Sequence, residues 1–141
     1  MIVALDFDGT LLTHTWPELG KDIGAFEWVI PLQENNHELR YILWTMRTYK
    51  PLKLAVEFCN DMGLHFWSVN SSPNQHTWSS SNKVFAHCYV DDAALGTPLI
   101  GGSKGARPYV NWNEMGPLLT KRVDEYFDLK NKMIGFRRKT T

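Results

Sequence analysis

Two hydrophobic periods alternate along this chain. Ile2-Val3-Ala4-Leu5 is an apolar run too short for a helix and closed by Asp6, which predicts a buried strand. Tyr41-Ile42-Leu43-Trp44, His65 to Val69 and Ala86-His87-Cys88-Tyr89-Val90 read the same way. Between them the spacing becomes helical. Ile23 to Leu32 predicts a helix whose Pro31 implies a kink. Leu52, Val56 and Cys59, with Leu54, Ala55 and Phe58 between, form a stripe that stops at Gly63. Leu118, Val123, Tyr126, Phe127 and Leu129 mark a last amphipathic helix. Asn70 to Asn82 is polar and rich in Ser, hence loop, and Phe136-Arg137-Arg138-Lys139 reads as a frayed tail. Strands alternating with helices predict an α/β domain: a Rossmann-like parallel sheet sandwiched by helices.

In such sheets ligands bind outside the carboxyl ends of the strands, and polar residues cluster at those ends here. Asp6-Phe7-Asp8-Gly9-Thr10 follows the first strand, Thr45 the second, and Asp91-Asp92 the fourth. Gly9 breaks the first strand at once, so Asp6 closes it and Asp8 belongs to the turn. Carboxylates beside the backbone amides of a Gly turn suit a divalent cation and a phosphate. A carboxylate such as Asp6 can attack phosphorus and split hydrolysis into two displacements. Asp8 can protonate the leaving oxygen and then deprotonate water. The Thr45 hydroxyl and the Lys83 ammonium can hold phosphoryl oxygens, and Asp91, with Asp92 near it, can complete a magnesium site.

Composition narrows the field rather than pointing anywhere. Of 141 residues, 15 are basic and 15 acidic, so net charge argues for neither nucleic acid nor membrane. The length fits one core, with residues 1–132 as the domain and 133–141 as a basic tail. Two cysteines, Cys59 and Cys88, make no disulfide scaffold, and no apolar run reads as a signal or a span; a cytoplasmic protein is expected. His65, His76 and His87 lack zinc spacing, and the six Trp residues read mainly as core.

The order and spacing of the polar groups resemble the four motifs of the haloacid dehalogenase superfamily. Asp6-Phe7-Asp8-Gly9-Thr10 resembles the first and Leu43-Trp44-Thr45 the second. Lys83, eight residues before Asp91, resembles the third, and Tyr89-Val90-Asp91-Asp92 the fourth. The resemblance implies a Mg²⁺-dependent phosphatase in which Asp6 is nucleophile and metal ligand. It makes Asp8 the acid/base, with its main-chain carbonyl on the metal, Asp91 a third ligand and Asp92 an outer-shell partner. An acidic residue at position 8 favours phosphate esters over dehalogenation. The chain has no room for a large cap domain, so the likeness is to small capless members. An open site then calls for a large substrate or a neighbouring subunit, hence a possible homo-oligomer, to cover it.

Other residues carry weaker signals. Arg47 is a candidate to orient substrate at the pocket mouth. Lys104 and Arg107, in the basic loop Gly101 to Pro108, are candidates for contacts to an anionic substrate, although a solvated loop is the commoner fate of such a sequence. His14, Trp16 and Glu18 stand where a capless enzyme keeps a small flap. The expected substrate is a phosphorylated small molecule or macromolecular end. The alternatives are a 3′-phosphatase acting on polynucleotide ends and a catalytically silent binding protein of the same fold.

Overall fold

The computed structural model describes residues 1–103 and 105–137, without the side chains of 135–137. Its centre is a four-stranded parallel sheet in the order β3-β2-β1-β4, made of β1 (Ile2–Leu5), β2 (Arg40–Leu43), β3 (Ser68–Val69) and β4 (Cys88–Val90). Three helices flank it: α1 (Phe26–Asn35), α2 (Tyr49–Met62) and α3 (Trp112–Arg137). This is the expected α/β, Rossmann-like arrangement without a large cap. Among the described residues no helix is long and apolar enough to cross a membrane.

Register decides what the sheet buries and what it presents. Val3 lies opposite Tyr41 and Cys88, and Leu5 opposite Leu43 and Val90. These alternate positions share one face and join the core cluster with Phe26, Val29, Ala55, Cys59, Leu119 and Val123 of the three helices. Tyr41 is fully buried, and its hydroxyl is satisfied by donation to Val29 O at 3.0 Å. Phe26 and Phe58 meet edge to face at 5.9 Å, joining α1 to α2. The α1–α3 contact needs a small residue. A Cβ at Gly116 would lie 2.1 Å from the Trp28 ring, so Gly there accepts its helix cost to let the indole in.

The opposite face is covered differently. Ala4 and Ile42 are buried outside that cluster. Between β3 and β4 the chain makes only a single 3₁₀ turn, η1 (Gln75–Thr77), in the Ser-rich loop. Tyr89, of the same parity as Ala4, holds this loop: its hydroxyl accepts from Ala86 N–H and donates to Val84 O.

Several bounds differ from the sequence reading. Pro31 lies inside α1, which continues to Asn35. The third strand is two residues rather than five. A short antiparallel hairpin, β5 (Leu99–Gly101) with β6 (Pro108–Val110), occupies ground read as loop. Helix α3 runs on to Arg137, through positions assigned to the tail; Arg138 and Lys139 lie outside the described residues.

Candidate active site

Three carboxylates meet at the carboxyl edge of the sheet. Asp6 extends β1 by one residue, its N–H donating to Val90 O at 2.9 Å. The Leu5–Val90 register therefore sets Asp6 beside Asp91 and Asp92. One oxygen from each of Asp6, Asp91 and Asp92 lies within 4.8 Å of the others.

Thr10, fully buried, fixes two of the three. Its hydroxyl donates to Asp6 Oδ2 at 3.0 Å and accepts Asp92 N–H at 3.0 Å. The turn is pinned in its own right. Trp112 Nε1 donates to Thr10 O at 2.7 Å, and Val110 N–H donates to Gly9 O at 2.8 Å. Gly9 sits at φ +83°, and a Cβ there would stand 2.1 Å from His14 Nε2 and 2.8 Å from Asp92 Oδ2. His14 fills that space, with Nε2 3.0 Å from Asp92 Oδ2. Gly9→Ala therefore meets both a left-handed backbone and a clash. It is expected to cost at least ~2 kcal/mol in chemical denaturation; a loss below ~0.5 kcal/mol would show that His14 is not held there.

Crowding has an electrostatic consequence. Burial pushes the Asp6 carboxyl up from 3.8 to about 7, and the charges of Asp91 and Asp92 add to the effect. Hydrogen bonds from Phe7 N–H and the Thr10 hydroxyl oppose it. The donor set is three carboxylates, hard oxygen ligands that suit magnesium better than zinc. Asp92 supplies one of the three oxygens, and its Oδ2 also lies 3.0 Å from His14 Nε2.

Asp8 does not turn toward this cluster. Both of its oxygens are taken by Arg47: Nε donates to Oδ2 at 2.7 Å and Nη2 to Oδ1 at 2.6 Å. The other donors of that guanidinium go to Pro17 O (2.9 Å), Glu18 O (2.8 Å) and, more weakly, Pro51 O (3.4 Å). Its plane lies over the Phe7 ring, 4.8 Å from the centroid. All five N–H groups of Arg47 are used, and the side chain is fully buried. The assignment of Arg47 to the pocket mouth is therefore corrected. It ties Asp8 to the 13–20 segment, and no donor is left for a substrate.

Thr45 of the second motif follows a strand, and Lys83 of the third stands on a loop. Thr45 lies past β2, where Trp44 N–H continues the ladder to Leu5 O at 2.8 Å. Asn70 braces it from β3: its side-chain carbonyl accepts Thr45 N–H and its amide donates to Thr45 O, both at 2.8 Å. The Thr45 hydroxyl accepts Arg47 N–H at 3.1 Å, which leaves its proton free to donate. Lys83 is exposed on the loop, with Nζ over the Tyr89 ring at 5.8 Å. Tyr89 lies opposite Ala4 in the register, two residues before the strand-end Asp91. The groups acting on Asp6 are Phe7, Thr10, Asp91 and Asp92, without Lys83.

A different cation approaches the cluster. The hairpin brings Arg107 Nη2 to 4.0 Å from Asp92 Oδ2, with 69% of the side chain exposed. Lys104 lies outside the described residues. Residues not singled out from sequence thus do much of the holding: Thr10, Asn70 and Trp112. Only Thr10, inside the first motif, carried a sequence signal, since Trp112 reaches Thr10 across 102 residues.

No family model matches the sequence, and no curated protein matches it. A solved structure of a conserved protein from Bacteroides thetaiotaomicron is similar, with a TM-score of 0.67 and 29% identity. The similarity covers 86% of this chain and 91% of that one. It extends the fold over nearly the whole of both chains and names no activity.

Proposed function

We propose that this protein is a Mg²⁺-dependent phosphohydrolase of phosphate monoesters, with Asp6 as nucleophile. The observation that carries the reading is the convergence of Asp6, Asp91 and Asp92 within 4.8 Å at the ends of two adjacent strands. Asp6, Asp91 and Asp92 would hold the cation, which when bound supplies charge neutralisation for the phosphoryl oxygens and the crowded carboxylates.

An Asp6 oxygen attacks phosphorus, the ester P–O bond breaks, and the leaving alkoxide takes a proton from Asp8. Water then attacks the acyl phosphate, gives its proton to Asp8 and releases phosphate with Asp6 restored. Thr10 aims Asp6 by occupying Oδ2. Thr45, braced by Asn70, has a hydroxyl proton to offer a phosphoryl oxygen. For its part in this cycle Asp8, which accepts at both oxygens in the clamp, must first free one oxygen from Arg47 and take a proton from water there. The clamp sets where Asp8 starts, and parting from it is a step of the reaction.

The charge role assigned to Lys83 passes to Arg107 in this reading. Lys83→Ala is expected to leave kcat/KM within about two-fold, as for an exposed cation. Arg107→Ala is expected to raise KM several-fold with little change in kcat. Steady-state phosphate release decides between them, and the reverse ranking would return Lys83 to the site.

A second reading, a binding protein that keeps the fold, draws support from the clamped Asp8 and from Lys83, whose Nζ lies over the Tyr89 ring. Mass spectrometry after rapid acid quench separates the two. The phosphohydrolase should carry a phosphoryl group on the peptide containing Asp6 during turnover. Hydrolysis with no such adduct, or an adduct that persists in Asp6→Asn, would contradict the assignment.

A further inference from the structure

A cavity adjoins this edge of the sheet, and all of its lining residues but Val84 are polar. It measures about 330 Å³ and is lined by hydroxyl and amide side chains, among them Asn70, Ser72, Ser79, Ser80, Ser81 and Asn82. Among the described residues the only ring in the lining is the His76 imidazole, and no Lys, Arg, Asp or Glu lines it. From these observations we infer that this cavity receives the hydroxyl-bearing part of the substrate, so that the substrate class is a phosphorylated sugar or polyol. The inference rests on the phosphohydrolase reading and deepens it.

Three features make this a built site. First, Gln75 organises the loop: its amide donates to Ser81 O (3.1 Å) and Lys83 O (2.8 Å), and its carbonyl accepts Phe85 N–H (2.8 Å). Buried Val84 anchors the same segment. Second, the Ser79 and Ser81 hydroxyl oxygens accept the N–H groups of Ser81 and Lys83, both at 3.1 Å. Those bonds occupy a lone pair and leave each O–H to donate outward. A sugar hydroxyl, donor and acceptor at once, is the complement of such a surface.

Third, the position fits. Asn70 belongs both to the cavity wall and to the brace on Thr45. Asn70 follows β3 and Asp6 follows β1, two strand spacings apart, or ~10 Å. A hexose carrying its phosphoryl group spans such a distance. The competing occupants fit less well. A nucleobase asks for an apolar or aromatic slot, and a polynucleotide end asks for cations along its backbone. Among the described residues the lining holds no Lys or Arg and one apolar side chain, Val84.

The test uses the full chain with Mg²⁺ and four substrates: p-nitrophenyl phosphate, a set of hexose and polyol phosphates, a nucleoside 5′-monophosphate and a 3′-phosphorylated oligonucleotide. The best sugar or polyol phosphate is expected to exceed the nucleotide and the oligonucleotide by at least ten-fold in kcat/KM. Ser80→Ala with Asn82→Ala removes two side chains that bond to no other described residue. That variant is expected to lower kcat/KM for the sugar phosphate about ten-fold relative to the aryl phosphate, through KM. Equal or better turnover of the nucleotide or oligonucleotide, or no relative loss in the double variant, overturns the inference. Both results leave the phosphohydrolase standing if the aryl phosphate is cleaved. No cleavage of any of the four overturns both.

Discussion

Arg47→Met is expected to lower the melting temperature by on the order of 10 °C. The substitution keeps most of the volume and removes every polar partner at once. Asp8 loses both of its hydrogen bonds, and the carbonyls of Pro17, Glu18 and Pro51 lose their donor. Breaking a buried ion pair from one side costs ~3–5 kcal/mol, because the remaining charge is stranded. Asp8 is 19% exposed, and water recovers part of that cost, leaving roughly 2–4 kcal/mol. For a chain of this length each kcal/mol moves the midpoint by roughly 3–4 °C. Arg47→Lys should fall between, since an ammonium keeps the charge but not the planar fork. Adding Asp8→Asn to Arg47→Met should recover part of the loss, because no carboxylate is then stranded. A midpoint within ~2 °C of the parent for Arg47→Met would show that the clamp is not formed in solution.

Asp6→Asn is expected to abolish turnover and, in metal-free protein, to raise stability at alkaline pH. The sign follows from linkage. The Asp6 carboxyl is raised from 3.8 when unfolded to about 7 when folded, so the folded state holds the proton more tightly. Its contribution to stability is fully present below pH ~4 and is lost as pH rises through 7. Asn carries no such dependence. In chelator the variant should therefore gain on the parent between pH 4 and 8, by on the order of 2–4 kcal/mol at the upper end. Magnesium should shrink that gain, since an ionised Asp6 with a cation beside it is no longer penalised. Denaturation curves at pH 4 and pH 8, with and without Mg²⁺, read all of this. A variant that loses stability at pH 8 in chelator would mean that Asp6 is held ionised by a partner other than a metal.

Sequence made the sheet edge legible because local chemistry and long-range placement agree there. Ile2–Leu5 is apolar on both faces and is closed by Asp6, so the strand and its end are written in five residues. The same holds for Val90 followed by Asp91-Asp92. Elsewhere the deciding contact joins residues far apart. Arg47, two residues past Thr45, reads as a candidate to orient substrate, and only the approach of Asp8 across 39 residues reveals its place. Lys83 stood at a plausible spacing from Asp91. Spacing says nothing of direction, and the Gln75-centred loop carries its ammonium over Tyr89 instead. The β5–β6 hairpin is not legible in sequence because each strand has three residues, and Gly101 and Pro108 at the inner ends read as punctuation. Its consequence is the approach of Arg107 to Asp92, which loop composition cannot show.

Hydrolysis of p-nitrophenyl phosphate in Mg²⁺, and then in excess chelator, bears on the carboxylate cluster most directly. Phosphate release is expected with the metal, to vanish in chelator, to return when magnesium is restored, and to be absent from Asp6→Asn under every condition. Undiminished release after chelation, or release by Asp6→Asn at the parent rate, would contradict the reading of Asp6, Asp91 and Asp92 as a magnesium-dependent phosphoryl-transfer site.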